Sequence, residues 1–188
     1  ELFELNSNKL NRNIIFFGSL DYEPNLSAIY WLLEKVMPIV WRIDSNITLN
    51  IAGKNPPKRL IDLCNKDKKI LLISNPYSMS HHIRKSTIAV LPLVSGSGQQ
   101  NKILEAIANG LPVITTNKGA LPFGFINDKH LLIKDKPSNF ASAIINLYKD
   151  YKKINKLREQ AFLKLKMEYT WSAAADFLSK DYIESFSD

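Results

Sequence analysis

Short apolar segments alternate with helical patterns along almost the whole chain, and this alternation is the strongest constraint on its fold. Glycine, proline or polar residues end each apolar segment, as is typical of buried strands. The predicted strands are residues 13–17, 47–52, 70–73, 87–93, 112–115 and 131–133. Strands alternating with helices predict an α/β fold: a Rossmann-like, doubly wound, mostly parallel six-stranded sheet with helices on both faces.

In the segments between and after these strands, apolar residues recur at helical spacing, which predicts helices there. The predicted helices are residues 26–37, a helix started by 56–57, 78–85, 101–109, a helix started by 137–138, 154–165 and a last helix from 171 to about 183. Pro38 is expected to end or bend the first helix, and Gly110 to cap the end of the helix at 101–109. In open parallel sheets a ligand binds beyond the carboxyl ends of the strands, so the loops after Phe17, Ala52, Ile73, Leu93 and Thr115 are the places for a site.

Length and composition exclude several protein classes. The 188 residues fit one domain, and 45% hydrophobic with 23% charged residues is typical of a folded chain. A single cysteine, Cys64, excludes a disulfide framework, and with 3 histidines no metal site is expected. No apolar run approaches the length of a membrane span.

The net charge of +7 is spread evenly, which argues against a nucleic-acid partner. Residues 1–94 carry 12 basic against 8 acidic side chains, and residues 95–188 carry 13 against 10. Lys also outnumbers Arg, whereas base-edge recognition favours Arg. Basic residues concentrate only at 149–168, where the favoured interpretation is the solvated face of an amphipathic helix and the alternative is attraction to an anionic membrane surface.

The segment SGSGQQ at residues 95–100 joins a predicted strand to a predicted helix. Its glycines allow successive backbone N–H groups to point at one anion, and the helix start adds unpaired donors. The segment is neither a Walker loop nor a dinucleotide fingerprint. It therefore predicts a phosphate cradle, with a ligand-free strand–helix connection as the alternative.

The helix after this turn has an apolar face and a polar arc. With a period of 3.6 residues, the apolar face points toward the sheet and consists of Ile103, Leu104, Ile107 and Ala108. The polar arc lies opposite and consists of Asn101, Lys102, Glu105 and Asn109. A carboxylate at Glu105 can accept two hydrogen bonds from a vicinal diol such as ribose, and Lys102 can meet a phosphate charge. The alternative is a surface ion pair between Lys102 and Glu105.

The segment KILEAIANGLPVI at residues 102–114 resembles the K-x-L-E-A-x-A-x-G-x-P-V-V segment of family-4 (group 1) glycosyltransferases of the GT-B fold. Five further matches follow the family's order across nearly the whole chain. These are FGS at 17–19 with Tyr22, Pro24 and Asn25; AVLPL at 89–93; TTNKGA at 115–120; Leu132, Ile133, Phe140, Ala141 and Ile144; and YTW at 169–171.

The resemblance implies that residues 1–188 form a single nucleotide-sugar-binding domain, the C-terminal half of such an enzyme. The acceptor would bind to an N-terminal domain absent from this chain, on which a terminal helix at 171–185, with Trp171 and Phe177, is expected to pack. The implied activity is transfer of a hexose, with retention, from a UDP- or GDP-linked sugar to a glycan, a lipid-linked sugar or a polysaccharide precursor. No cofactor or metal is implied, and the isolated domain is expected to be inactive.

The resemblance also assigns residues of this sequence. Glu105 falls on the second Glu of the family's Glu-x-seven-Glu motif, which binds the ribose. Donor and phosphate binding fall to Gly18, Ser19, Ser97, Gly98, Gln99, Asn101 and Lys102, and base binding to Asn75 and Tyr77 in the loop 74–77. Ser97 stands where the motif has its first Glu. Leu20, Asp21 and Glu23 stand where the family has a basic pair, so Lys102 is the predicted substitute cation and Lys118 the second candidate.

Two other functions stay open, a non-catalytic nucleotide- or phosphate-binding module and one half of a sugar-nucleotide epimerase. Catalytic residues are not identified and are expected partly in the missing domain. His81 and His82 are interpreted as solvated, and Trp31 and Trp41 as packing residues. The predicted location is the cytoplasm, with peripheral contact to the inner membrane.

Overall fold

The computed structural model describes residues 11–93 and 101–169. Six strands form one sheet: β1 Asn13–Phe17, β2 Thr48–Gly53, β3 Ile70–Ser74, β4 Ile88–Leu91, β5 Val113–Thr115 and β6 Leu132–Ile133. Their order is β3-β2-β1-β4-β5-β6, and every neighbouring pair is parallel. The predicted Rossmann-like α/β fold is confirmed, with a sheet that is entirely parallel.

Eight α-helices surround this sheet in the described ranges: α1 Glu23–Trp31, α2 Met37–Ile43, α3 Lys58–Cys64, α4 Met79–Arg84, α5 Asn101–Ala108, α6 Asn117–Ala120, α7 Pro137–Lys149 and α8 Tyr151–Glu168. A π-helical segment, Leu32–Val36, joins α1 to α2, and a 3₁₀ turn, Leu121–Phe123, follows α6. None of the described helices is long and apolar enough to cross a bilayer. The helix predicted from Trp171 lies outside the described residues.

The sequence predicts that Pro38 either ends or bends the first helix, and the structure shows that the helix does not end there. The π-helical segment widens the turn before the proline, and the Met37 N–H donates to the Leu32 carbonyl, five residues back. Proline cannot donate to an α-helical ladder and its ring collides with the preceding turn. The widened turn removes this conflict, so helical structure continues through α2.

Aromatic side chains pack the helices onto the sheet. Trp31 lies edge-on to the buried Phe140 of α7 at 5.3 Å between ring centroids. The Trp41 Nε1–H donates to the carbonyl of Ile47, just before β2, at 2.8 Å. Both tryptophans are thus packing residues, as the sequence predicts.

The carboxyl ends of β1 and β2 approach each other closely. The Gly18 N–H donates to the Ala52 carbonyl at 3.0 Å, and the Leu20 N–H donates to the Lys54 carbonyl at 2.8 Å. A Cβ atom at position 53 would lie 1.8 Å from the carbonyl oxygen of Gly18, so only glycine fits there. Gly18 itself has a φ of +145°, which L side chains rarely adopt. The two glycines fix the path of the chain as it leaves β1.

Candidate functional site

The site lies at the switch point of the sheet, between β1 and β4. The chain crosses from β1 toward β2 on one side and from β4 toward β5 on the other, so the loops after these two strands diverge and leave a crevice. The loop 18–22 borders it after β1, and the start of α5 borders it after β4. Ser97, Gly98 and Gln99, predicted to form the phosphate cradle, lie outside the described residues.

The side chain of Lys102 starts from the first turn of α5 and extends across this crevice to the end of β1. Its Nζ donates a hydrogen bond to Oδ1 of Asn25 and lies 5.3 Å from the centroid of the Phe16 ring. A Cβ atom at position 18 would lie 3.5 Å from the same Nζ. The structure therefore brings together Gly18 and Lys102, two residues that the sequence places in one site from opposite halves of the domain.

Burial makes this cation unusual. It lowers the pKa of Lys102 from 10.5 to about 8, because an ammonium removed from water is disfavoured unless a counter-charge replaces the lost hydration. Within the described part of the chain no carboxylate forms an ion pair with Lys102. In particular, the surface ion pair with Glu105 is not formed. A bound anion would supply the missing counter-charge.

The orientation of α5 corrects the predicted polar arc. Lys102 is half-buried rather than on the solvent side, and the buried residues of the helix are Ile103, Ala106 and Ile107, while Ala108 is exposed. The buried face is therefore rotated toward Ala106. A lysine at the margin of such a face can lay its aliphatic stem along the protein and direct its ammonium inward.

Asn25, in the first turn of α1, is a site residue that the sequence analysis did not select. It is 4% exposed, and its Nδ2 donates to the Ser19 carbonyl at 2.7 Å while its Oδ1 accepts from Lys102. The residue was visible in the sequence as part of the Tyr22, Pro24 and Asn25 pattern. Nothing local indicated that it would meet a lysine 77 positions later.

Glu105 lies one turn after Lys102 on α5. Its side chain is exposed, and its carboxylate makes no hydrogen bond or ion pair with a described residue. Partial desolvation by nearby protein atoms raises its pKa above the ordinary value. Asn101, the first residue of α5, is also exposed. A carboxylate whose oxygens have no hydrogen-bond partner among the described residues can accept two hydrogen bonds from a diol.

The loops after β1, β2 and β3 are tied together by polar side chains. Asp21 accepts from the Ser19 hydroxyl at 2.6 Å and from Asn55 Nδ2 at 2.8 Å, and these bonds lower its pKa. Asn75 Oδ1 in turn accepts from the Asn55 N–H at 3.1 Å. The hydroxyl of Ser19 and the side-chain oxygen of Asn75 thus both take part in this network.

The predicted base-binding residues make no hydrogen bond to Lys102. Asn75 and Tyr77 follow β3, the edge strand two positions from β1, and Tyr77 is fully exposed. Their base-binding role stays a prediction. Lys118 is exposed on α6, which follows β5. The ammonium that the structure places beside Gly18 is that of Lys102.

In the described ranges, the histidines and the acidic side chains form no metal-binding site. His81 is exposed, and its pKa is lowered mainly by the charge of Lys85. Over residues 11–93 and 101–169, no three His, Cys, Asp or Glu side chains are grouped closely enough to hold a metal ion.

The fold and site define a Rossmann-like α/β domain with a half-buried cation at the switch point of its sheet. Residues 11–150 match the family described as Glycosyl transferases group 1, and the chain belongs to this family. This confirms the resemblance drawn from the motif at 102–114 and the matches around it.

A curated relative is the 44.6 kDa protein in the cps region of Klebsiella pneumoniae. It is 29% identical over 167 residues, which cover 85% of this chain and 43% of that protein. The chain thus spans less than half the length of this relative.

Solved structures share the fold. The C-terminal domain of LpcC, a glycosyl transferase group 1 family protein of Francisella tularensis, aligns with a TM-score of 0.67 at 19% identity, over 85% of this chain and 86% of that one. Anabaena Alr3699/HepE in complex with UDP aligns with a TM-score of 0.74 at 9% identity, over 93% of this chain and 49% of that one. At these identities the alignments show the fold.

Proposed function

We propose that this chain is the donor-binding domain of a glycosyltransferase and that it binds a nucleoside-diphosphate sugar at the switch point. The observation that carries the proposal is the ammonium of the half-buried Lys102, held beside Gly18 with no carboxylate partner among the described residues. Such a cation is matched by a diphosphate. Membership of the group 1 family supplies the sugar as the transferred group.

The chemical role of Lys102 is to stabilise the leaving group. As the glycosidic bond breaks, negative charge builds up on the terminal phosphate oxygen of the nucleoside diphosphate. A fixed ammonium in a partly dry crevice lowers the energy of this charge more effectively than water does. The first backbone N–H groups of α5 lie on the same side and add to the effect. We propose that this charge stabilisation proceeds without a metal ion.

Three finer features belong to the proposal. The acceptor is a glycan or polysaccharide precursor, supported by the cps-region relative, and it binds to a domain outside this chain, supported by the alignment to a C-terminal domain. The sugar is a hexose transferred with retention, as the family resemblance implies. The nucleotide is UDP in preference to GDP, supported by the UDP in the aligned HepE structure.

Glu105 provides the first test. Glu105→Ala is expected to weaken UDP binding by about tenfold or more, because two hydrogen bonds to a carboxylate are lost. 2′-Deoxy-UDP, which lacks one of the two hydroxyls, is expected to lose far less affinity from the same substitution. Isothermal titration with UDP, GDP and 2′-deoxy-UDP measures both effects.

The matched control for Glu105 is Glu159→Ala, which removes an exposed carboxylate from α8. It is expected to bind UDP with wild-type affinity. Equal UDP affinity in wild type and Glu105→Ala would contradict the ribose assignment. Binding of duplex or single-stranded nucleic acid with a steep salt dependence would instead favour a nucleic-acid function.

The pH dependence of UDP binding provides the second test. The free domain has a Lys102 pKa of about 8, and a bound diphosphate favours the charged form, so binding above this pH must take up a proton. UDP affinity is therefore expected to fall by up to about tenfold per pH unit above pH 8. Lys102→Arg, which stays charged, is expected to show a flat profile from pH 7 to about pH 9.5. A wild-type profile as flat as that of the variant would contradict the role of Lys102.

A further inference from the structure

Asn25 connects the two sides of the crevice through a single amide group. Its Nδ2 donates to the backbone carbonyl of Ser19 at 2.7 Å, and its Oδ1 accepts the hydrogen bond of Lys102. The side chain is 4% exposed, so water does not compete strongly with either bond. One residue of α1 thus holds both the loop after β1 and the cation from α5.

The backbone of Ser19 fixes the orientation of this amide. A carbonyl oxygen accepts hydrogen bonds and cannot donate them, so the NH₂ group of Asn25 has to face it. The amide oxygen is then directed toward Lys102, whose ammonium can only donate. The partner that the protein offers to the cation is therefore a neutral oxygen.

The nearby carboxylates do not neutralise Lys102, because each has another partner or forms no ion pair with it. Asp21, in the loop after β1, accepts from Ser19 and Asn55, and Glu23, at the start of α1, accepts from the hydroxyl of Ser27 at 3.3 Å. Glu105, on the same helix as Lys102, forms no ion pair with it. The ammonium is held in place without being neutralised.

We propose that Asn25 is a positioning residue for the donor: it holds the ammonium of Lys102 beside Gly18 and leaves the positive charge available to a diphosphate. The same amide anchors the Ser19 backbone, so the loop and the cation keep a fixed relative position. This inference rests on the proposed function of the site.

Asn25→Asp tests the proposal because it keeps the size of the side chain and places a carboxylate beside Lys102. It also removes the hydrogen bond to the Ser19 carbonyl, because a carboxylate cannot donate. The new carboxylate pairs with Lys102 and repels the diphosphate, so UDP affinity at pH 7 is expected to fall by about tenfold or more. The loss of affinity that wild type shows above pH 8 is expected to disappear, since the carboxylate keeps Lys102 protonated. A residue that only supported the loop would not change the pH profile in this way.

The matched control is Asn139→Asp, which adds the same charge at an exposed position of α7 and is expected to keep both wild-type affinity and the wild-type pH profile. A folded Asn25→Asp variant with these same wild-type properties would overturn the proposal. Asn25→Ala removes both hydrogen bonds without adding charge, and it is expected to weaken UDP binding as well. Wild-type affinity in Asn25→Ala would also overturn the proposal.

A measurement without nucleotide separates this inference from the proposed function. Lysine labelled at Cε reports the titration of Lys102 by NMR, with Lys102→Arg identifying the signal. In Asn25→Asp the titration midpoint is expected to move upward by about one pH unit or more. If the midpoint moves but wild type binds no nucleoside diphosphate, the proposed function fails and the contact between Asn25 and Lys102 is established. An unmoved midpoint overturns the inference whatever the protein binds.

Discussion

Replacing Lys102 by Met is expected to weaken UDP binding strongly and, at the same time, to stabilise the domain in the absence of UDP. The ammonium is the charge that meets the diphosphate, so its loss is expected to weaken UDP binding by about a hundredfold. Burial lowers the pKa of Lys102 from 10.5 to about 8. At pH 7 the lysine is charged, so this burial reduces the free energy of unfolding by about 3 kcal/mol. Methionine removes this penalty with a side chain of similar length. The lost hydrogen bond to Asn25 offsets about 1 kcal/mol of the gain.

The stability difference between Lys102→Met and wild type is expected to depend on pH. Between pH 8 and about 10.5 the unfolded chain binds a proton at Lys102 that the folded domain does not, so wild-type stability gains from rising pH in this range. The advantage of Lys102→Met is therefore largest at pH 7 and vanishes above about pH 10.5. Urea unfolding at several pH values, with and without UDP, measures these differences.

The matched control is Lys156→Met, which removes an exposed lysine from α8. It is expected to change neither stability nor UDP affinity by more than a small factor. A Lys102→Met variant that is less stable than wild type and still binds UDP would show that the lysine serves the fold rather than a ligand. An inverse relation between stability and binding is what a functional charge in a low-dielectric site produces.

Gly53→Ala is expected to be the most destabilising single methyl addition in the described part of the chain. The new Cβ would lie 1.8 Å from the Gly18 carbonyl oxygen and 2.7 Å from Leu20 Cγ, so the backbones of the first two loops would have to separate. A loss of about 4 kcal/mol and a melting temperature lower by about 10 °C are expected. UDP affinity is expected to fall too, because Gly18 borders the ammonium of Lys102.

Gly124→Ala is the control for this substitution. Unlike Gly53, Gly124 has a positive φ, of +55°, but the nearest atom to its Cβ position is Lys164 Nζ at 3.9 Å. The expected loss is therefore limited to the conformational strain, about 1 kcal/mol, with UDP affinity unchanged. Equal stability losses at positions 53 and 124 would contradict the close approach of the β1 and β2 loops. Thermal unfolding followed by circular dichroism compares the two variants.

The strands and most helices could be predicted because their signals are local. Residues 13–17 form β1 with the predicted bounds, and Gly110, with a φ of +78°, ends α5 where the sequence placed a cap. Two elements escaped prediction because neither produces a recognisable pattern in the sequence. The four residues of α6 are too few for a helical period, and the π-turn before Pro38 leaves no mark on the apolar pattern.

The candidate site divides in the same way. Lys102 and Glu105 were predicted as site residues from their spacing on one helix, but the predicted polar arc put Lys102 on the solvent side. The structure instead directs it inward to Gly18 and Asn25. The side on which a long flexible side chain lies depends on what packs against its helix, and helical period carries no information about that neighbour.

By itself the sequence determined the order of strands and helices along the chain and the parallel sheet, because backbone preference and apolar period act within a few residues. Tertiary structure alone decided that Asn25 and Lys102, 77 positions apart, meet over the end of β1. The burial that lowers the pKa of Lys102 is a property of the packed crevice. It arises when segments distant in the chain together exclude water, and no single segment encodes it.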